Sequence, residues 1–297
     1  TYGWWGVEQR PEIGDWTWPF DISPIPFAFA LALVGLVAFI AWGVHRERAG
    51  RSTLLALRLF SITSFRNGNI AAAVVSLGEF GIILALPLWL QFVLGFDALQ
   101  TGLLLLSLAG GSFLASGIAG ATSGRIAPVW IVRIGLLAEI VGVAGVGFAI
   151  GPDASWVPLI PLLFVYGVGV GLATAQLTGV VLADVPLADS GAASGTQSTS
   201  RQLGAALGVA ILGTVLFTST AGILAASLDD QGVPAAQRDQ VVSSVVDSAG
   251  AAISGLAANP ETAGAADAAR EAFSGGTRYA AWTAAGFLAL GLLATVS

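Results

Sequence analysis

Two carboxylates stand where a carboxylate is costly. Glu79 lies in NIAAAVVSLGEFGIILALPLWLQ and Glu139 in WIVRIGLLAEIVGVAGVG, each in the middle of an apolar run. A charge at the centre of a membrane helix costs roughly 2.5–3.5 kcal/mol on insertion scales, so such a group faces a cavity or a partner. Burial disfavours the charged form of a carboxyl, which makes a proton its natural ligand. Gly78 and Gly81 flank Glu79 and open the backbone to a neighbouring helix or ligand, and Pro87 is expected to bend the helix and free a carbonyl. Glu79 therefore reads as a proton or cationic-substrate site, or else as a hydrogen-bond partner of a neighbouring Ser, Thr or Gln. Glu139 carries the same two readings, but Gly142, Gly145 and Gly147 in its run favour close helix packing.

A second polar group interrupts SGAASGTQSTSRQLGAALGVAILGT, residues 190–214. Gln197, Ser198, Thr199, Arg201 and Gln202 sit among residues otherwise small or apolar. Gly191–Gly195 and Gly204–Gly208 are both small-xxx-small spacings, which let membrane helices touch backbone to backbone. Arg201, Gly204 and Gly208 fall on one helix face. The arginine either snorkels to the interface or pairs with a carboxylate or helix end, and the polar cluster lines a protein interior or wet vestibule.

Other chemistries are excluded. The twelve basic residues are all arginine, so no Walker-type loop with its phosphate-reaching lysine can form. The chain has no cysteine, and its one histidine, His45, stands in an arginine-rich loop without a partner for catalysis or zinc. A net charge of -6 speaks against nucleic acid. No nucleophile–base pair or ligand set for a metal or cofactor is found at membrane depth, so no enzyme is expected.

The elements that position these residues follow from composition. Only 10% of residues are charged and 55% are hydrophobic, with a mean hydropathy of +0.82, where a soluble domain carries about 25% charged residues. A bilayer span needs about 20 mostly apolar residues. The run 27–44, FAFALALVGLVAFIAWGV, meets that, as do 70–96, 99–121, 131–150, 156–183, 191–217 and 279–297. The expected architecture is an all-α polytopic membrane protein of about seven transmembrane helices. Arg46, Arg48, Arg51, Arg58, Arg66, Arg125 and Arg133 cluster in alternate loops, which places 45–69 and the loop near 125 on the cytoplasmic side. The segments are then an external Trp-rich stretch (1–26), an extra span (27–44), a basic cytoplasmic loop (45–69), five spans (70–217), an external acidic loop (218–277) and a last span (278–297). The acidic loop is too long for a passive turn. Its Val241, Val242, Val245 and Val246 suggest short amphipathic helices, in a loose spacer or in a gating or docking device. The absence of methionine and of a signal peptide, and the apolar run cut at Ser297, lead us to expect a segment of a longer, bacterial protein.

The order of features resembles the second half of a fourteen-helix drug:proton antiporter of the major facilitator superfamily. The stretches that carry the resemblance are SLGEFGIILALPLWLQFVLGFDALQTGLLLL (76–106), GSFLASGIAGATSGRIAP (111–128) and SGAASGTQSTSRQLGAALGVAILG (190–213). The family's cytoplasmic loop signature is degraded here to Gly120 and Arg125, with Gly124 and Ala127 at the other signature positions. The resemblance implies a multi-pass protein of the bacterial plasma membrane that exports lipophilic or cationic compounds by alternating access. It implies the proton gradient as driving force, no cofactor, the lipid bilayer and a small lipophilic substrate as partners, and an N-terminal half outside this chain. It would make Glu79 and Glu139 coupling residues, and Phe80, Trp89, Gln91, Gln197 and Arg201 parts of the substrate cavity. An importer or metabolite exporter on the same fold, or a non-transporting membrane scaffold, are the competing readings.

Overall fold

The computed structural model describes residues 12–13, 16–17, 24–48, 57–122 and 124–295. Two compact units emerge, Thr1–Arg58 and Leu59–Ser297. In the first, the two-residue strands β1 (Glu12–Ile13) and β2 (Trp16–Thr17) pair antiparallel. They are followed by α1 (Pro24–Arg48), whose side chains from Phe27 to Trp42 are exposed. Arg46 lies 5.1 Å from the Trp42 ring centre, and His45 is exposed beside it. The remainder of the Trp-rich stretch and residues 49–56 of the basic loop lie outside the described residues.

The second unit is all helix: α2 (Thr63–Phe92), α3 (Ala98–Thr122), α4 (Pro128–Ala149), α5 (Leu159–Leu182), α6 (Ser190–Asp230), α7 (Ala235–Asp247), α8 (Ala252–Ala257) and α9 (Ala263–Ala294). Glycines set how closely the long helices approach. On α6, Gly204 and Gly208 lie against the carbonyls of Ala73 and Leu77 on α2, with no room for a Cβ. On α5, Gly167 and Gly171 lie in the same way against the carbonyls of Leu108 and Ser112 on α3. In both crossings the residue numbers rise together, so α2 runs parallel to α6 and α3 parallel to α5. Gly135, Gly142 and Gly145 of α4 meet α5 near Ala173, Tyr166 and Leu162, numbers running opposite, so these two are antiparallel. The helices therefore alternate in direction, as successive membrane crossings must.

Among the described residues, six helices are long and apolar enough to cross a membrane: α1 to α6. The expected last span forms the C-terminal part of α9. That helix is less apolar, because Arg278, Tyr279 and Thr283 and many alanines stand where α2 to α5 carry Leu, Ile and Val. Large apolar side chains face outward along the outer helices, with Phe113 82% and Phe148 77% exposed. Among the described residues that continuous apolar surface suits lipid or protein, not water. Pro87 stands inside α2 without ending it.

Two arginines fasten α4 to α9 at both ends of their antiparallel contact. Arg133 Nη2 donates to the Thr295 carbonyl (2.6 Å), and Arg278 Nη2 donates to the Ile150 carbonyl (2.8 Å). Each satisfies a carbonyl that the end of a helix leaves without an internal partner. The 17 steps from residue 133 to residue 150 along α4, and equally from 278 to 295 along α9, rise about 26 Å, close to the ~30 Å of a bilayer's hydrocarbon core.

The segment 218–277 is built as helix, extending the expected spans. α6 is 41 residues long, about 60 Å, twice the apolar thickness. Its Leu224 and Leu228, Val245 of α7, Ile253 of α8 and Phe273 of α9 are all fully buried, where α6 meets α7 and α9 and α8 meets α9. Phe273 stacks edge-on with Phe217 at 6.5 Å and meets Gly250, whose φ of +98° turns the chain between α7 and α8. A loosely ordered spacer would have no such core.

Candidate functional site

Seven residues of α2, α5 and α6 line an open cavity of about 390 Å³: Phe80, Thr178, Ser194, Gln197, Ser198, Arg201 and Gln202. The close α2–α6 crossing brings it about. Gly204 and Gly208 seat α6 on α2, and Arg201 lies one turn before Gly204 on the same face. Gln197 is buried, and its amide donates to Thr178 Oγ1 of α5 at 3.1 Å. Phe80 is 42% exposed and turns its ring into this wall.

Behind Phe80 the chain buries both carboxylates. Glu79 is 4% exposed and Glu139 0%. One oxygen of Glu79 and both oxygens of Glu139 have no hydrogen-bond partner. Two residues of α5, one turn apart, each meet one of these glutamates. Tyr166 reaches α2, where its hydroxyl donates to the Glu79 carbonyl at 3.5 Å. Gly169, one turn on, lies against Glu139, where a Cβ would come within 2.6 Å of the Glu139 Cγ. Tyr166 also packs on Gly142, the residue one turn beyond Glu139 on α4. The glycines around Glu139 thus do serve close packing, and that packing seals a carboxyl in. Gly78 and Gly81 admit neighbouring helices, through Leu288 of α9 and Leu212 of α6.

Phe80, Gln197 and Arg201 thus share one cavity, with Glu79 beside it. Trp89 is placed elsewhere: fully buried, it donates its Nε1 to Ser274 Oγ of α9 at 3.1 Å. Gln91 is half-buried near the end of α2 and does not line the cavity. Gly120 and Arg125 are exposed around the turn between α3 and α4, where Gly124 adopts φ +91°. The left-handed turn explains that glycine on local grounds. Tyr166 and Thr178 escaped the sequence reading. Tyr166 gave the same signal as Glu79, a polar atom in the apolar run LIPLLFVYGVGVGLATAQ. No group of three or more His, Cys, Asp or Glu suited to a metal occurs among the described residues.

Comparison with known proteins follows the same lines. A family model described as the Major Facilitator Superfamily matches residues 4–209. A "Probable actinorhodin transporter" of Streptomyces coelicolor is 35% identical over 215 residues, covering 69% of this chain and 36% of that protein. A "Multidrug resistance protein B homolog" of Mycobacterium tuberculosis is 30% identical, over 62% of this chain and 34% of the relative. A "Tetracycline resistance determinant" of Streptomyces rimosus is 31% identical, over 70% of this chain and 59% of the relative. The chain thus spans between about a third and three fifths of the length of these relatives.

Proposed function

Because the chain belongs to the Major Facilitator Superfamily, we propose that it forms the C-terminal half of a fourteen-helix permease that exports lipophilic or cationic compounds in exchange for protons. The relatives' names, which speak of actinorhodin, tetracycline and multiple drugs, support the substrate class. The observation that carries the reading is the cavity itself. An aromatic face (Phe80), hydrogen-bonding side chains (Gln197, Gln202) and a cation (Arg201) line it, and a buried carboxyl with one unpartnered oxygen (Glu79) lies beside it. Phe80 offers a ring face to a lipophilic cation, and Glu79 exchanges a proton as the site alternates between the two sides. The opposite wall would come from the N-terminal half. In this reading the protein lies in the bacterial plasma membrane, works without a cofactor, and performs no covalent chemistry.

The test is proton movement in inside-out vesicles carrying the full-length protein. Adding a lipophilic cation should release protons from vesicles of the parent and not from those of Glu79→Gln inserted at the same level. Equal responses from both would remove Glu79 from the coupling mechanism. No response to any cationic or neutral drug would remove the efflux assignment.

A further inference from the structure

Arg278 uses only part of its guanidinium on the protein. Its Nη2 donates to the Ile150 carbonyl, and its Nε is buried without a partner. Among the described residues Arg278 forms no ion pair, and neither does the exposed Glu271, two turns earlier on α9. Both line a cavity of about 230 Å³, which shares no residue with the cavity at Phe80 and Arg201. Tyr279 and Trp282 of α9, Ile223 of α6 and Pro152 beyond the end of α4 also line it. The two arginine fasteners give its level in the bilayer. Arg278 closes one end of a stretch that rises about 26 Å, so its guanidinium stands at the edge of the hydrocarbon core, where headgroups begin. One turn deeper, the Trp282 ring lies 6.0 Å from that of Tyr279 and 5.4 Å from that of Phe148, which is largely exposed. Tyrosine and tryptophan favour this boundary. Glu271 is seven residues further out, about 10 Å, at the outer edge of the headgroup zone.

We propose that this cavity binds the headgroup of one aminophospholipid, of the phosphatidylethanolamine type, in the leaflet on the side of α7 and α8. From the bilayer outward the protein presents apolar rings, then a cation, then a carboxylate. An aminophospholipid presents the complement in the same order: acyl chains, phosphate, ammonium. The phosphate accepts hydrogen bonds from the Arg278 guanidinium, whose planar fork suits it. The ammonium pairs with Glu271, and the chains run down past Trp282 and Phe148. A lipid, not a free phosphate, is the occupant, because the aromatic rings continue the cavity into the membrane. A free anion would also meet the Glu271 carboxylate with nothing to offset it. The seated headgroup touches α9, α6 and the end of α4, so it adds to the fastening that the Arg278–Ile150 bond begins. None of this depends on what the permease carries.

The experiment uses the full-length protein, stripped of lipid in detergent and titrated with phosphatidylethanolamine or with phosphatidylglycerol of the same acyl chains. Native mass spectrometry counts the lipids bound. The parent should hold one phosphatidylethanolamine roughly tenfold more tightly than phosphatidylglycerol, which has the phosphate but no ammonium. Glu271→Gln should lower the affinity for phosphatidylethanolamine to that for phosphatidylglycerol. Arg278→Gln should weaken both lipids by roughly tenfold. A parent that does not distinguish the two lipids, or a Glu271→Gln variant that keeps the preference, overturns the proposal. So does a folded Arg278→Gln variant that binds both like the parent, since the lipid then sits elsewhere. Displacement of phosphatidylethanolamine by inorganic phosphate would make the site one for a free anion and overturn the lipid assignment. Arg278 also fastens α9 to α4, so its variant can fail to fold. Glu271 is exposed and holds nothing in place, and its variant then decides alone.

Discussion

Gly195 and Gly208 have the same side chain and the same four-residue spacing to a second glycine, yet only Gly208 sits against another helix. A Cβ at Gly195 or Gly191 meets nothing, whereas one at Gly208 or Gly204 runs into the α2 backbone. Gly208→Leu should therefore drive α6 off α2 and abolish folded protein, while Gly195→Leu should leave the level of folded protein in the membrane unchanged. Size-exclusion profiles of the two variants check this. Sequence spacing could identify both pairs as capable of close packing, but not which of them finds a partner. The buried aromatics teach the same lesson. Trp89 and Phe80 are both aromatic residues near Glu79 in the sequence, and periodicity alone did not separate the one that packs in the core from the one that lines the cavity. Trp89→Phe loses the hydrogen bond to Ser274, worth about 0.5–1.5 kcal/mol. Thermal unfolding should register that loss, and the apparent affinity for a lipophilic cation should not change. A change in affinity would place Trp89 in the substrate path after all.

At the scale of elements, the spans were legible because a charge-free apolar run of sufficient length has few alternatives. The ends of α6 and α9 were not, because an alanine- and serine-rich sequence reads equally as loop or helix until its partner is known. What decides them is a ladder at four-residue spacing on α6, Leu212, Leu216, Thr220, Leu224 and Leu228, all buried. Its Leu216 and Thr220 lie against α9, where Gly276 has no room for a Cβ beside them. Beyond the apolar thickness this pair, with α7 and α8, has a core of its own. The ion pairs of Arg238 with Asp229 and Asp239, at 3.1 and 3.0 Å, are exposed and contribute little beside it. Phe273→Ala should remove about 3–5 kcal/mol from that core. Hydrogen exchange should then rise at residues of α7 and α8, with α4 and α5 as protected as in the parent. Loss of protection throughout the chain would mean that the extension and the spans form one cooperative unit.

For the whole molecule, the alternation of helix direction and the placement of arginine bear on the same question, which side each loop faces. Parallel packing of α2 on α6 and of α3 on α5 requires an odd number of crossings between the members of each pair. The buried helices satisfy this with α3, α4 and α5 between the first pair and α4 between the second. The positive-inside pattern predicts the sense: the ends carrying Arg66 and Arg125 are expected to face the cytoplasm, which would put α7 and α8 on the outer side and the turn near Leu187 on the inner. The chain has no cysteine, so single cysteines can report this without removing any of its own. Leu187, 94% exposed, and Ser243, exposed on α7, are suitable sites. In intact cells a membrane-impermeant maleimide should label Ser243→Cys and leave Leu187→Cys unmodified until the membrane is opened. The reverse pattern would invert the whole topology. Labelling of both from outside would mean that α6 does not cross the bilayer and that its 41 residues are housed in some other way.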